Sequence, residues 1–273
     1  MIKHIFPILL FFALCSCSQY YKFDELYDKG EFLKAYHLLD NINDKNSIHY
    51  QRRLFRVVIK LSLDGDRDFM DLLRSMVKGS PVEDVNSYYL FGLTYLNFLD
   101  ARDTPQYQSV ISNLQDLQKV PEEFKVYGYK LRGISLYKLG NYNEAINDLN
   151  SSYKILPFID DLYFIGKCYY GLQDYKTSYD YFNRVSSETQ DLFFRGLANF
   201  EMGEIDFYET NYLEALSKYI ESVNFYSRNA VCTYKIAKCL EKLKYNRLSP
   251  EFYKTSLRIT NDYASAWFFL NIN

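Results

Sequence analysis

The sequence predicts an all-α chain, a solenoid of stacked helical hairpins, and three observations carry that expectation. Residues 126–157 read as two short amphipathic helices joined at Gly140-Asn141, with small or apolar residues at Tyr129, Gly133, Leu136 and Leu139, then at Ala145, Leu149, Ser152 and Tyr153. The spacing from Gly133 to Ala145 recurs as Gly166 and Ser178, as Gly203 and Ala215, and as Ala237 and Ser249. The text recurs with it, since Arg132-Gly-Ile-Ser-Leu-Tyr-Lys-Leu-Gly140 matches Arg195-Gly-Leu-Ala-Asn-Phe-Glu-Met-Gly203 almost type for type. Two antiparallel helices cannot bury both apolar faces alone, so a recurring pair implies neighbours stacked on it. With 11 Gly and 6 Pro in 273 residues, little interrupts helices anywhere.

The period and the paired small residues resemble the tetratricopeptide (TPR) repeat, strongly over 126–267, faintly over 20–125 and not at all before Tyr20. The resemblance implies a right-handed α-solenoid of TPR-like helical hairpins, in which small residues at the eighth and twentieth positions let paired helices approach. It divides the chain into degenerate hairpins at 20–125 and repeats at 126–273. The latter fall at about 126–158, 159–188, 189–229 with a lengthened helix A, and 230–263, followed by a truncated terminal helix at 264–273. Such a fold implies binding and does not name what is bound.

In chain order, Lys3 and His4 precede the apolar run Ile5 to Leu14, which is too short to span a bilayer and is laid out as a secretory signal peptide. Leu14-Cys15-Ser16-Cys17 resembles a bacterial lipobox. That resemblance implies removal of 1–16 and a lipid on Cys17, with 17–19 as a short tether. Each buried CH₂ of the lipid contributes about 0.8 kcal/mol, so several acyl chains give a lasting anchor. The plain alternative is an ordinary signal peptide and a free Cys17. Anchoring places the chain in the bacterial cell envelope, and Ser18 after the lipidated cysteine favours the outer over the inner membrane.

Phe23 to Ile42 reads as a hairpin with a truncated helix A, because Gly30-Glu-Phe-Leu-Lys-Ala35 copies the Gly-x-Tyr-x-x-Ala junction of the central unit. A long helix over Ser47–Leu63 and a partner over Asp66–Met76 follow. Asp64-Gly-Asp-Arg-Asp68 between them lacks the Gly and Glu that a calcium loop needs where Phe69 and Ser75 stand, so it reads as a turn with a helix N-cap. The next hairpin spans 86–119, with its helix B carrying Val110, Ile111, Leu114 and Leu117 and a long connection at Leu99–Gln106. Pro121 then opens the central repeat as a first-turn proline. In the third repeat both Gly196 and Gly203 fit the small-residue position. The expected solution is a helix A lengthened by seven residues, with Gly203 to Thr210, including Ile205, Phe207 and Tyr208, projecting beyond its neighbours. The apolar end at Trp267 departs from the polar cap usual in arrays.

With 32 basic residues against 34 acidic ones, nothing points to nucleic acid or to a polybasic membrane patch, and no nucleic-acid partner is expected. Cys168, Cys232 and Cys239 fall on core positions of the repeat and read as buried structural thiols. No catalytic residue and no metal site is expected: after Cys17 only His37 and His49 occur, without a phosphate loop, a nucleophile elbow or a Cys/His cluster. No cofactor is expected beyond the lipid on Cys17, and the chain reads as no enzyme.

Candidate binding residues lie on two sets of faces. Arg52, Arg56 and Lys60 share one side of their helix at i, i+4, i+8, where Arg can present a fork of donors to an acidic segment; a solvated face is the plain alternative. In the repeats, the resemblance implies that positions two, five, nine and twelve of helix A face a concave side. The residues of interest there are Tyr89, Tyr127, Lys130, Tyr137, Tyr163, Lys167, Tyr170, Tyr234 and Lys238. Tyrosine gives contact area and a polar tip at low entropic cost, which suits an extended peptide or a helix. The alternative is that TPR cores use tyrosine freely. The family's carboxylate clamp is missing, with Ile134 and Phe164 where Asn is needed. The expected function is a lipid-anchored scaffold for a protein partner in an assembly or transport complex. A lipoprotein holding a small apolar or glycan ligand in the tyrosine-lined groove is the alternative.

Overall fold

The computed structural model describes residues 18–42, 44–78, 85–224 and 229–261. Among them are fourteen helices and no strand. The leader at 1–16, Cys17 and the terminal segment around Trp267 lie outside the described residues. No helix among the described residues is long and apolar enough to cross a membrane. The chain forms two compact units that meet in sequence between Leu131 and Arg132.

The first unit begins with α1 (18–28) and α2 (Phe32–Leu39), turned by Gly30 at φ +78°, a conformation that favours glycine. α3 (Ile48–Leu63) and α4 (Arg67–Met76) follow. Ser47 caps α3 by accepting from the Tyr50 amide, and Asp66 caps α4 by accepting from the Asp68 and Phe69 amides, so the aspartate-rich turn is a helix start. α5 (Asn86–Asp100) and α6 (Thr104–Asn113) form the third hairpin. Here two expectations are corrected. The long loop at Leu99–Gln106 is only residues 101–103, because Asp103 and Gln106 form a reciprocal capping box and Pro105 fits the first turn of α6. Helix B does not reach Leu117: α6 ends at Asn113, and Leu117–Lys119 is a separate 3₁₀ turn capped by the Asp116 side chain. A second 3₁₀ turn, Glu122–Phe124, leads from Pro121 into α7 (Lys125–Lys138), whose first half closes this unit. One continuous core runs through the unit from Phe23 to Leu131.

The second unit contains the rest of α7, then α8 (Tyr142–Ile155), α9 (Ile159–Gly171), α10 (Tyr175–Glu188), α11 (Leu192–Tyr208), α12 (Tyr212–Val223), α13 (Asn229–Lys242) and α14 (Ser249–Asn261). The small residues are where helices touch. A Cβ on Gly166 would lie 2.8 Å from the Phe182 ring and one on Gly203 2.8 Å from the Tyr219 ring, each sixteen residues on. The odd helix α11 is explained by this register. It has 17 residues against 13 in α9 and 14 in α13, so the addition is about one turn rather than two.

The addition also lies at the other end from the one expected. Gly166 and Gly203 each stand five residues before their helix ends, whereas α11 begins four residues earlier relative to its glycine. Gly203–Thr210 therefore does not project: Ile205 is buried, Phe207 half-buried, and only Tyr208, with its neighbours Glu209 and Thr210, is exposed. The extra turn instead shows Leu192 and Phe193 to solvent. Gly196 has its own task, accepting a 2.7 Å hydrogen bond from Ser222 Oγ, as Ala230 accepts one from Ser256. Cys168, Cys232 and Cys239 are fully buried, and burial pushes the Cys168 and Cys239 thiols up to about 12.

Candidate partner-binding faces

In the second unit the A helices α9, α11 and α13 are joined by alternating charges. Lys167 Nζ donates to Glu201 Oε1 at 2.8 Å, and Tyr163 OH donates to the same oxygen at 2.9 Å. One turn later on α11, Glu204 accepts from Lys235 of α13 at 2.7 Å and from Tyr219 OH at 2.5 Å. Counting the small residue of each A helix as position eight, position nine of one repeat meets position six of the next at both junctions. Glu201 is 7% exposed, so this carboxylate has left water. Burial alone would lower the Lys167 pKa, but Glu201 outweighs it and holds the ammonium above its ordinary value.

The predicted tyrosines of this unit form short runs of rings. Tyr137 is half-buried with centroids 6.2 Å from Tyr142 and 5.5 Å from Phe164, and Tyr170 packs at 5.4 Å on Tyr175, which in turn meets the exposed Tyr208 at 4.9 Å. Lys167 Nζ lies 5.7 Å from the Tyr170 ring. Tyr234 packs on Tyr253 at 5.6 Å, and Lys238 Nζ lies 5.8 Å from the Tyr234 ring. Tyr163 and Lys167 thus have their polar atoms engaged inside the chain. Tyr208 is exposed beside these rings, and Glu201 and Glu204 tie the A helices together; the two glutamates were not singled out from sequence. The signal for Glu201 and Glu204 was the charge sign at positions six and nine, opposite to the lysines at Lys167 and Lys235 on the neighbouring A helices.

In the first unit the Arg52, Arg56 and Lys60 side of α3 is not a free basic face. Arg56 Nε donates to Glu123 at 2.6 Å, its other nitrogens lie 3.6 Å from Asp24 and 3.8 Å from Asp28, and its guanidinium stacks 3.9 Å from the Tyr27 ring centroid. Burial works against the charge on Arg56, but Glu123 outweighs it and raises the pKa. Tyr88 OH also donates to Glu123 at 3.1 Å. Lys60 reaches Asp64 at 3.0 Å and Tyr127 OH at 3.2 Å. Arg53, absent from the sequence-based set, pairs with Asp24 and stacks over Tyr20. Arg52 and Arg56 border a cleft of about 410 Å³ with Ser87, Tyr88 and Glu123. Tyr89 OH bonds the Val77 carbonyl at 3.1 Å, and Lys130 is half-buried on α7. No group of three metal-ligating side chains occurs among the described residues.

No family model matches the chain, and no curated protein matches it in sequence. Solved structures do resemble it. The apo form of the quorum sensor NprR from B. thuringiensis superimposes with a TM-score of 0.69 at 13% identity, over 93% of this chain and 80% of that one. A Rap protein complexed with competence and sporulation factor gives 0.59 at 12% identity, over 90% and 76%, and MamA gives 0.51 at 13%, over 59% and 92%. The fold is of the tetratricopeptide-repeat type. At these identities the likeness reaches the fold and goes no further.

Proposed function

We propose that this chain is a helical-repeat scaffold that binds a protein partner through the faces of its A helices. It is held in the bacterial cell envelope by a lipid on Cys17, at the outer rather than the inner membrane, as part of an assembly or transport complex. The observation that carries the binding role is the repeated hairpin architecture with half-buried tyrosines Tyr137, Tyr170 and Tyr234 and interspersed lysines on the A helices of the second unit. Amphipathic rings of this kind supply binding area with little entropy loss. The likeness to a Rap protein solved in complex with competence and sporulation factor is consistent with a fold that holds a binding partner. Lys167, Glu201, Glu204 and Lys235 on these helices are engaged in ion pairs that join one repeat to the next.

The anchoring part rests on the Leu14-Cys-Ser-Cys17 sequence. Its test is fractionation of wild type against Cys17→Ser. The wild type is expected in the detergent phase with a lipid-sized mass increment, and the variant, still processed, in the aqueous phase. Equal partition with no lipid mass would remove the anchor. For the partner, affinity capture from detergent-solubilised envelope should return one protein in stoichiometric amount. A small apolar or glycan molecule co-purifying without any protein would favour the tyrosine runs, Tyr208 at 65% exposure above all, as a small-ligand site.

A further inference from the structure

α9 and α13 carry the same six-residue pattern, Tyr163-Phe-Ile-Gly-Lys-Cys168 and Tyr234-Lys-Ile-Ala-Lys-Cys239. In α9 the tyrosine and lysine, one turn apart, close on Glu201 of the next A helix. On α11, position six reaches back to α9 through Glu201 and position nine reaches forward to α13 through Glu204. On α13 position six, Lys235, likewise reaches back, which leaves position nine, Lys238, on the forward side. Lys238 is half-buried, and among the described residues its side chain meets the Tyr234 ring but no carboxylate and no hydrogen-bond acceptor. Glu201 follows Lys167 by 34 residues, the same step from Lys238 arrives at Ile272, and between 262 and 273 the one acidic side chain is Asp262.

We propose that the forward face of α13, centred on Lys238, receives a helix of another protein that carries a glutamate among apolar residues, docking as α11 docks on α9. This gives the partner of the proposed scaffold a chemistry and rests on that scaffold reading. The template for the partner helix is α11, in which Ala198, Met202 and Ile205, three before, one after and four after Glu201, are buried against the core of α9 and α10. A helix docking on this face would draw the Lys238 ammonium out of water, and that cost is offset only by an ion pair or hydrogen bonds, which is what a glutamate on the incoming helix supplies.

A labelled synthetic peptide of residues 189–211 serves as the probe, titrated into the full chain and followed by fluorescence anisotropy. Saturable binding is expected, weakened at least tenfold by Lys238→Met in the chain or by Glu201→Gln in the peptide. Lys238→Glu in the chain should restore binding to a Glu201→Lys peptide. Unaltered melting of the variants confirms that they fold. Binding indifferent to Lys238 but lost in Lys167→Met would mean that the peptide invades at α9 and would overturn the inference. Absence of saturable binding, as when residues 262–273 or a second copy occupy the face, overturns it too. If envelope capture recovers a partner equally with wild type and Lys238→Met, the scaffold stands and this site falls.

Discussion

Asp206 is held by α11 against its preference for water. The residue is 7% exposed, and one of its carboxylate oxygens is buried with no hydrogen-bond partner. Burial pushes the carboxyl up to about 6, Glu214 and Glu209 push the same way, and Lys218 opposes them. The folded state therefore binds this proton more tightly than the unfolded chain, whose carboxyl titrates near 4. Between those values folding takes up a proton, so this group makes stability fall as pH rises from about 4 to 6 and level off above. Asp206→Asn should raise stability at pH 7.5 by up to about 3 kcal/mol and by almost nothing at pH 4. Denaturant melts at both pH values check this, and a difference independent of pH would refute the assignment. Nothing in the sequence marks Asp206 among 34 acidic residues, because its perturbation comes from α12 folding over it. The buried cysteines were legible, since the repeat frame fixes their positions directly.

At the scale of the helix, the junction between α9 and α11 shows how a charged pair replaces an apolar one at the same place. Lys167 and Glu201 occupy positions nine and six, where the preceding junction has Ile134 and Phe164. Glu201→Gln removes the charge that Lys167 and Tyr163 share and should cost about 1–3 kcal/mol in a denaturant melt. Lys167→Met combined with Glu201→Met should recover most of that loss, because an apolar pair has no desolvation penalty. A double variant as unstable as the single would mean that packing alone, not the charge left behind, sets the cost. Helix identities and starts were legible from caps and periodicity, as at Ser47 and Asp66. The length of α11 was misjudged because Gly196 and Gly203 both look like contact glycines. The contacts tell them apart: Gly203 lies against the Tyr219 ring, whereas the Gly196 carbonyl accepts from Ser222. The loop before α6 is shorter than the long connection expected at Leu99–Gln106, because the Asp103–Gln106 capping box and Pro105 belong to the first turn of α6.

For the molecule as a whole, the principal packing joins helices no more than two apart in the chain. Stability in such an array is close to a sum of hairpins and nearest-neighbour interfaces, so a local defect should stay local. Gly203→Ala supplies the defect. Its Cβ would stand 2.8 Å from the ring of the fully buried Tyr219, itself bonded to Glu204, and the ring has no free space to retreat into. A loss of about 1–3 kcal/mol is expected from such overpacking. In hydrogen exchange, amides of α11, α12 and α13 should lose protection by that amount, while those of α2 to α5 keep theirs. The site of the defect and its spread both follow from the small-residue spacing that the sequence displays. The size of the spread does not, because it depends on how strongly the Lys167–Glu201 and Lys235–Glu204 pairs couple one repeat to the next. Uniform loss across both units would show that the chain unfolds as one cooperative body and would count against the nearest-neighbour description. Confinement of the loss to α11 and α12 would show that the ion pairs transmit little between repeats.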